Sequence, residues 1–166
     1  MRFMRRLSGL FVVFAILCSL PRPAAARRTN FGLGIVGGDP TGLTGELVFG
    51  RRTSMDFTVG LDTFDDDAVY VAADYLIRVV DLAPRGSVGI PLYLGFGAFV
   101  VDYDRGNNDD LIVVGPRVPF GLQLDFRAVP LVVFAELAVR FYMISNHERG
   151  DDDSDVDGSI GFRIYF

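Results

Sequence analysis

The sequence predicts an all-β protein, an eight-stranded antiparallel up-and-down transmembrane β-barrel, and three observations carry that expectation. Of the 166 residues 50% are hydrophobic, yet 22% are charged, and after the N-terminal segment the apolar residues are dispersed rather than gathered into runs. From Phe31 onward they alternate with polar residues at period two, which puts successive side chains on opposite faces of a strand. Eight segments show the pattern, and an even number brings both ends of a barrel to one side, as bacterial outer-membrane barrels require.

Met1 to Ala26 reads as a secretory signal, exported through the Sec pathway and then removed. Arg2, Arg5 and Arg6 form a cationic start, Leu10 to Leu17 an apolar core, and Ala24-Ala25-Ala26 a small-residue cleavage site. That apolar core is well short of the ~20 residues that span a bilayer. The expectation is a signal at 1–26 and one barrel domain at 27–166. Cys18 falls in the signal, so the mature chain holds no cysteine for a disulfide or a thiol-bound metal. All sixteen basic residues are arginine; losing four of them and no acidic residue moves the formal charge from −5 to −9, twelve against 21. Such an acidic chain lacks the basic footprint of nucleic-acid binding.

The strands follow in order. Phe31–Gly37 comes first, then Leu43–Phe49, where Thr44, Glu46 and Val48 lie opposite Leu43, Gly45, Leu47 and Phe49. Met55–Asp62 is third. In Val69–Val79 the odd positions are Val69, Val71, Ala73, Tyr75, Ile77 and Val79, opposite Tyr70, Ala72, Asp74, Leu76 and Arg78. Val88–Tyr103 is fifth. Pro116–Phe126 sets Val118, Phe120, Leu122 and Leu124 against Arg117, Pro119, Gly121, Gln123 and Asp125; its two prolines each remove a ladder donor and predict a local irregularity or bulge. Leu131–Met143 is apolar at every odd position, with Glu136 and Arg140 among the even ones, and Ser159–Phe166 is last.

Both soluble and membrane barrels alternate, so the charged face decides. A soluble barrel turns its polar face to water and fills its inside with apolar residues. Here the polar faces are sparse and mixed with Gly and Tyr, and their mid-strand charges nearly cancel: Arg78, Arg117, Arg140 and Arg163 against Glu46, Asp56, Asp74 and Glu136. Away from the strand ends the apolar faces carry no charge, as lipid exposure demands where an arginine at the midplane costs ~2–4 kcal/mol. The expected lumen ion-pair network is Glu46, Asp74, Arg78, Arg117, Glu136, Arg140 and Arg163, packed in a barrel just wide enough for its own side chains.

With the first strand entering from the periplasm, the exterior connections are Gly38–Gly42, Thr63–Asp67, Asp104–Asp110 and Ser145–Asp157. The periplasmic ones are Arg51–Ser54, Asp81–Ser87 and Arg127–Pro130, which hold Arg51, Arg52, Arg85 and Arg127. Asp65 to Asp67, Asp109, Asp110, Asp151, Asp152, Asp153, Asp155 and Asp157 give the outer rim a negative field. Asp109, Asp110, Asp151, Asp152 and Asp153 form a candidate loop cation site, since Ca²⁺ takes several oxygen ligands; the competing reading is a solvated charged loop that resists aggregation.

No catalytic residue, cofactor or resident metal is assigned. The sole histidine, His147, sits near Ser145 and Glu148 in the longest loop, where nothing fixes the geometry a nucleophile and base need. Gly32-Leu33-Gly34 and Gly95-Phe96-Gly97 precede no helix and so are not phosphate loops; glycines within barrel strands permit bending and close packing.

Pro91 to Gly97, Val114 to Leu122, Val133 to Ala138 and Ile160 to Phe166 resemble a family of small, uncharacterised bacterial outer-membrane β-barrel proteins, and the architecture is similar to the OmpA and OmpX type. The likeness is carried by the second half of the chain, with a departure at Val139, where the family tends to have proline. It implies an outer-membrane location and brings no activity. Its recurrent Arg117, Glu136 and Arg163 fall on lumen positions. The terminal strand, with Phe162, Ile164 and Phe166 in one phase, resembles the signal that the outer-membrane assembly machinery reads. The expected function is a non-catalytic monomer with a structural or surface-interaction role, whose partners are membrane lipid, lipopolysaccharide and that machinery. The alternatives are a narrow solute channel and, more distantly, a lipid-modifying enzyme using His147.

Overall fold

The computed structural model describes residues 30–62, 68–103, 111–143 and 154–166. Nine strands form one sheet: β1 Phe31–Gly38, β2 Thr41–Val48, β3 Thr53–Asp62, β4 Ala68–Asp81, β5 Val88–Gly89, β6 Pro91–Tyr103, β7 Leu111–Phe126, β8 Leu131–Phe141 and β9 Ser154–Tyr165. Each pairs antiparallel with its neighbours, and β1 pairs with β9, so the sheet closes on itself. Segment β5 meets β7 in the register that β6 continues, Gly89 opposite Asp125 and then Leu92 opposite Leu122. The two are therefore a single stave interrupted at Ile90, and the barrel has eight.

Period two alone dictates which way each side chain points. On β4, Ala68, Tyr70, Ala72, Asp74 and Leu76 are buried while Val69, Val71, Ala73 and Ile77 are exposed. On β8 Val132, Phe134, Glu136, Ala138 and Arg140 turn inward, and Phe141 and Leu137 outward. The molecule is thus inside out. Leu43, Phe96 and Ile160, all outward, are 65%, 62% and 62% exposed, whereas Arg163 is 1% exposed.

Three sequence expectations need correction. β7 begins at Leu111 and not Pro116, since Leu111 to Gly115 pair with β6. Its prolines bring the expected irregularity but no bulge: the β6–β7 ladder skips Gly95 and Phe96, opposite Pro119 and Val118, without a change of register. A register shift lies instead in β4, between Arg78 and Val80. Finally, β9 begins at Ser154, so Asp155 and Asp157, expected in a loop, are strand residues opposite Arg140 and Ala138.

Candidate functional site

The polar lumen is organised around three arginines in successive layers. Arg163 on β9 lies 2.6 Å from Asp56 Oδ2 and 3.2 Å from Glu46 Oε2, and its Nε and Nη2 donate to Thr44 Oγ1 at 3.0 and 2.8 Å. The Tyr165 hydroxyl donates to Glu46 Oε2, and Thr44 Oγ1 donates to Asp56 Oδ1 at 3.2 Å. The Arg163 guanidinium also sits 4.0 Å from the Phe134 ring centre, within cation–π range.

Arg117 on β7 holds the next layer. It is 2.7 Å from Glu136 Oε1 and 3.5 Å from Asp74 Oδ2, and its Nη1 donates to the Tyr70 hydroxyl at 2.7 Å. Tyr93 donates to the second Glu136 oxygen at 2.8 Å. Arg140 on β8 occupies the layer nearest the Asp39–Pro40 turn. Four carboxylates surround it: Asp157 at 2.6 Å, Asp62 at 3.0 Å, Asp155 at 3.1 Å and Asp39 at 3.4 Å. Tyr70 and Phe99 cover its guanidinium at 5.7 and 5.6 Å.

Why these groups meet across the barrel wall is written in the register. Gly34 is the partner of both Thr44 on β2 and Arg163 on β9. Lacking a side chain there, β1 lets Arg163 reach over it. The device recurs: Gly32 lies between Glu46 and Tyr165, Gly97 between Asp74 and Arg117, and Gly121 between Tyr93 and Glu136. A Cβ on Gly32 would come 2.9 Å from the Tyr165 ring, and one on Gly121 would come 2.6 Å from the Tyr93 hydroxyl. Gly32-Leu33-Gly34 and Gly97 are therefore gaps through which polar side chains on flanking strands bond.

Of the expected network, Glu46, Asp74, Arg117, Glu136, Arg140 and Arg163 lie inside and take part in these layers. Arg78 does not join them. It is half-buried at the opposite end from Arg140, with no ion pair among the described residues, and lines a cavity of about 510 Å³ with Arg51, Arg52 and Arg127. Nor do the interior groups match in number: among the described residues seven buried carboxyl groups (Asp39, Glu46, Asp56, Asp62, Asp74, Glu136 and Asp157) face three buried arginines. Sequence reasoning missed Asp39, Asp62 and Asp157 as lumen groups. Parity could have found two of them, since Asp62 is in phase with Asp56 and Asp157 with Arg163; Asp39 sits in a turn, where alternation gives no signal.

Phe162, Ile164 and Phe166 lie on the outer face, and the Phe166 N–H donates to the Phe31 carbonyl at 3.2 Å, continuing the seam between β9 and β1. Asp109, Asp110, Asp151, Asp152 and Asp153, with His147, Ser145 and Glu148, fall outside the described residues. Among the described residues no group of three or more His, Cys, Asp and Glu is arranged to hold a metal ion.

No family model matches the chain, and no curated protein does. Among solved structures it is similar to the N-terminal β-barrel domain of Pseudomonas aeruginosa OprF, with a TM-score of 0.61 and 10% identity, over 84% of this chain and 100% of that one. At that identity the likeness is one of fold, and it agrees with the closed ring of eight staves and the antiparallel order described above. The chain has the OmpA-like eight-stranded β-barrel fold.

Proposed function

We propose that the chain is a non-catalytic barrel of the bacterial outer membrane with a structural or surface-interaction role, its lumen closed by its own side chains. The observation that carries this reading is the inversion of polarity: exposed leucine, isoleucine, valine and phenylalanine on all eight staves, and charged groups buried within. Water would penalise that surface, whereas lipid requires it. Closure follows from the same setting, because in hydrocarbon every backbone donor and acceptor needs an internal partner and a sheet cannot keep an edge. The buried Arg163, Arg117 and Arg140, each bridging to carboxylates from other staves, stand across the lumen as successive plugs.

On this reading the end bearing Arg51, Arg52 and Arg127 faces the periplasm, and the acidic connections face outward toward lipopolysaccharide. The C-terminal strand ending at Phe166 is what the assembly machinery engages, and the barrel works as a monomer. The test is cell fractionation with heat-modifiable gel mobility, followed by reconstitution in planar bilayers. The protein is expected in the outer membrane with no steady current; a stable open-channel conductance overturns the plugged lumen.

A second reading, a narrow cation path, is favoured by one observation, that among the described residues seven buried carboxyl groups face three buried arginines. Selective cation current lost in Glu136→Ala supports it; silence of the wild-type protein disposes of it.

A further inference from the structure

The lumen network leaves one cluster of arginines unused. At the end of the barrel away from Arg140, a cavity of about 510 Å³ is lined by Arg51 and Arg52 of the β2–β3 turn, Arg78 of β4 and Arg127 of the β7–β8 turn, with Asp81 and Asp125 as the acidic members. That volume is within the usual range for a small-ligand site, ~300–1,000 Å³. The backbone brings the basic members together, because the Arg78 N–H donates to the Arg52 carbonyl at 2.7 Å. Asp81 is engaged locally: it accepts from the backbone N–H groups of Ala83 and Ile90 at 3.0 and 3.2 Å and stands 4.0 Å from Arg127. Arg127 is turned toward the Ala83 and Pro84 carbonyls as well. Arg51, Arg52 and Arg78 line the cavity with no carboxylate at ion-pair distance among the described residues, although Arg78 is near enough to Glu46 to stabilise its charge at longer range.

The wall beside them is apolar. The register shift in β4 places Val79 and Val80 consecutively on it, 62% and 45% exposed, next to the exposed Leu82. Guanidinium forks match the paired oxygens of a phosphate. An anion carrying its own apolar chain satisfies both halves of the site at once.

We propose that this mouth binds the phosphate of an anionic phospholipid from the leaflet surrounding that end of the barrel, its acyl chains lying along the adjoining outer wall. The inference rests on the membrane reading given above. The experiment uses the barrel folded in a maltoside detergent, which contains no phosphate, and scores retained phosphatidylglycerol by native mass spectrometry. Because basic residues near the surface attract anionic headgroups, Arg51→Gln/Arg52→Gln/Arg78→Gln is expected to lower retention at least about tenfold. Arg51→Gln/Arg52→Gln, confined to exposed turn residues, is expected to fall between the triple variant and wild type, and it serves if the triple variant does not fold.

Equal retention by the folded variants overturns the site. Inorganic phosphate at millimolar concentration displacing the lipid overturns the lipid assignment in favour of a free-anion site. Failure of the wild type to show heat-modifiable mobility instead removes the membrane reading itself and this proposal with it.

Discussion

Arg117 and Arg140 are direct partners across the β7–β8 ladder, two like charges on adjacent staves both pointing into the lumen. Like charges directly opposite are ordinarily destabilising. Here they diverge, Arg117 toward Asp74 and Glu136, Arg140 toward Asp62 and Asp157. The Tyr70 ring stands between them, 6.0 Å from one guanidinium and 5.7 Å from the other.

Arg140→Ala strips the cation from three buried carboxylates, Asp39, Asp62 and Asp157. Removing one partner of a buried pair costs about 3–5 kcal/mol. Urea unfolding of the protein refolded in lipid vesicles is expected to show a loss of that size. A loss under about 1 kcal/mol, the worth of an exposed pair, contradicts the buried layer.

The glycine gaps make a graded expectation. A Cβ at Gly34 meets the β9 backbone, including the Arg163 Cα at 2.8 Å, which cannot step aside; one at Gly32 meets the Tyr165 ring, which can. Gly34→Ala is therefore the more damaging, at about 1–3 kcal/mol for overpacking. Gly32→Ala should act by displacing Tyr165 from Glu46, and its effect should overlap with that of Tyr165→Phe. A double-mutant cycle measures this; strict additivity of the two contradicts it.

Outward positions distinguish lipid from water. Leu94 is 50% exposed on the outer face. In a soluble barrel Leu94→Arg would be nearly neutral, within about 0.5 kcal/mol. Against hydrocarbon it costs ~2–4 kcal/mol at the midplane. Stability in bilayers of the refolded variant decides between them.

Arg117→Ala leaves Asp74 and Glu136 without their cation in the middle of the lumen. If the wild-type barrel is plugged, the variant is the one expected to leak, and to prefer cations. Reversal potentials across a KCl gradient in planar bilayers report it; a leak without cation preference argues against a carboxylate-lined path.

Deleting Phe166 removes the N–H that bonds Phe31 and the terminal aromatic of the outer face. The amount in the outer membrane is expected to fall well below the amount synthesised. Equal fractions for the truncated and intact chains, measured by quantitative immunoblot, count against an assembly role.

Alternation made most of the fold legible in the sequence, because a strand with one buried face cannot slip by one residue without turning that whole face over. That is why Glu46, Asp74, Arg117, Glu136, Arg140 and Arg163 could be placed inside from sequence alone. Parity says which face a residue takes and nothing about its height in the barrel, so Arg78, in correct phase, was not separable from the network. Strand ends were misjudged where charge resembles a loop: Asp155 and Asp157 read as acidic rim until pairing with β8 placed them opposite Arg140 and Ala138. Close packing at Gly34 was legible, but which side chains would bond across Gly34 and Gly121 was not, since that depends on three strands sharing one register level.

The partners in each lumen layer are far apart along the chain: Arg163 and Glu46 by 117 residues, Arg140 and Asp39 by 101. Among the described residues, the carboxylates near the start of the barrel make their ion pairs with arginines near its end. On the membrane reading proposed above, a half-formed sheet would carry Glu46 and Asp56 toward hydrocarbon without Arg163, their ion-pair partner, at a large cost. That reading constrains the order of events in assembly, with insertion and closure expected to proceed together. The last strand would then act as a check on the chain before it, since it brings the Arg163 charge that pairs with Glu46 and Asp56 of the early strands.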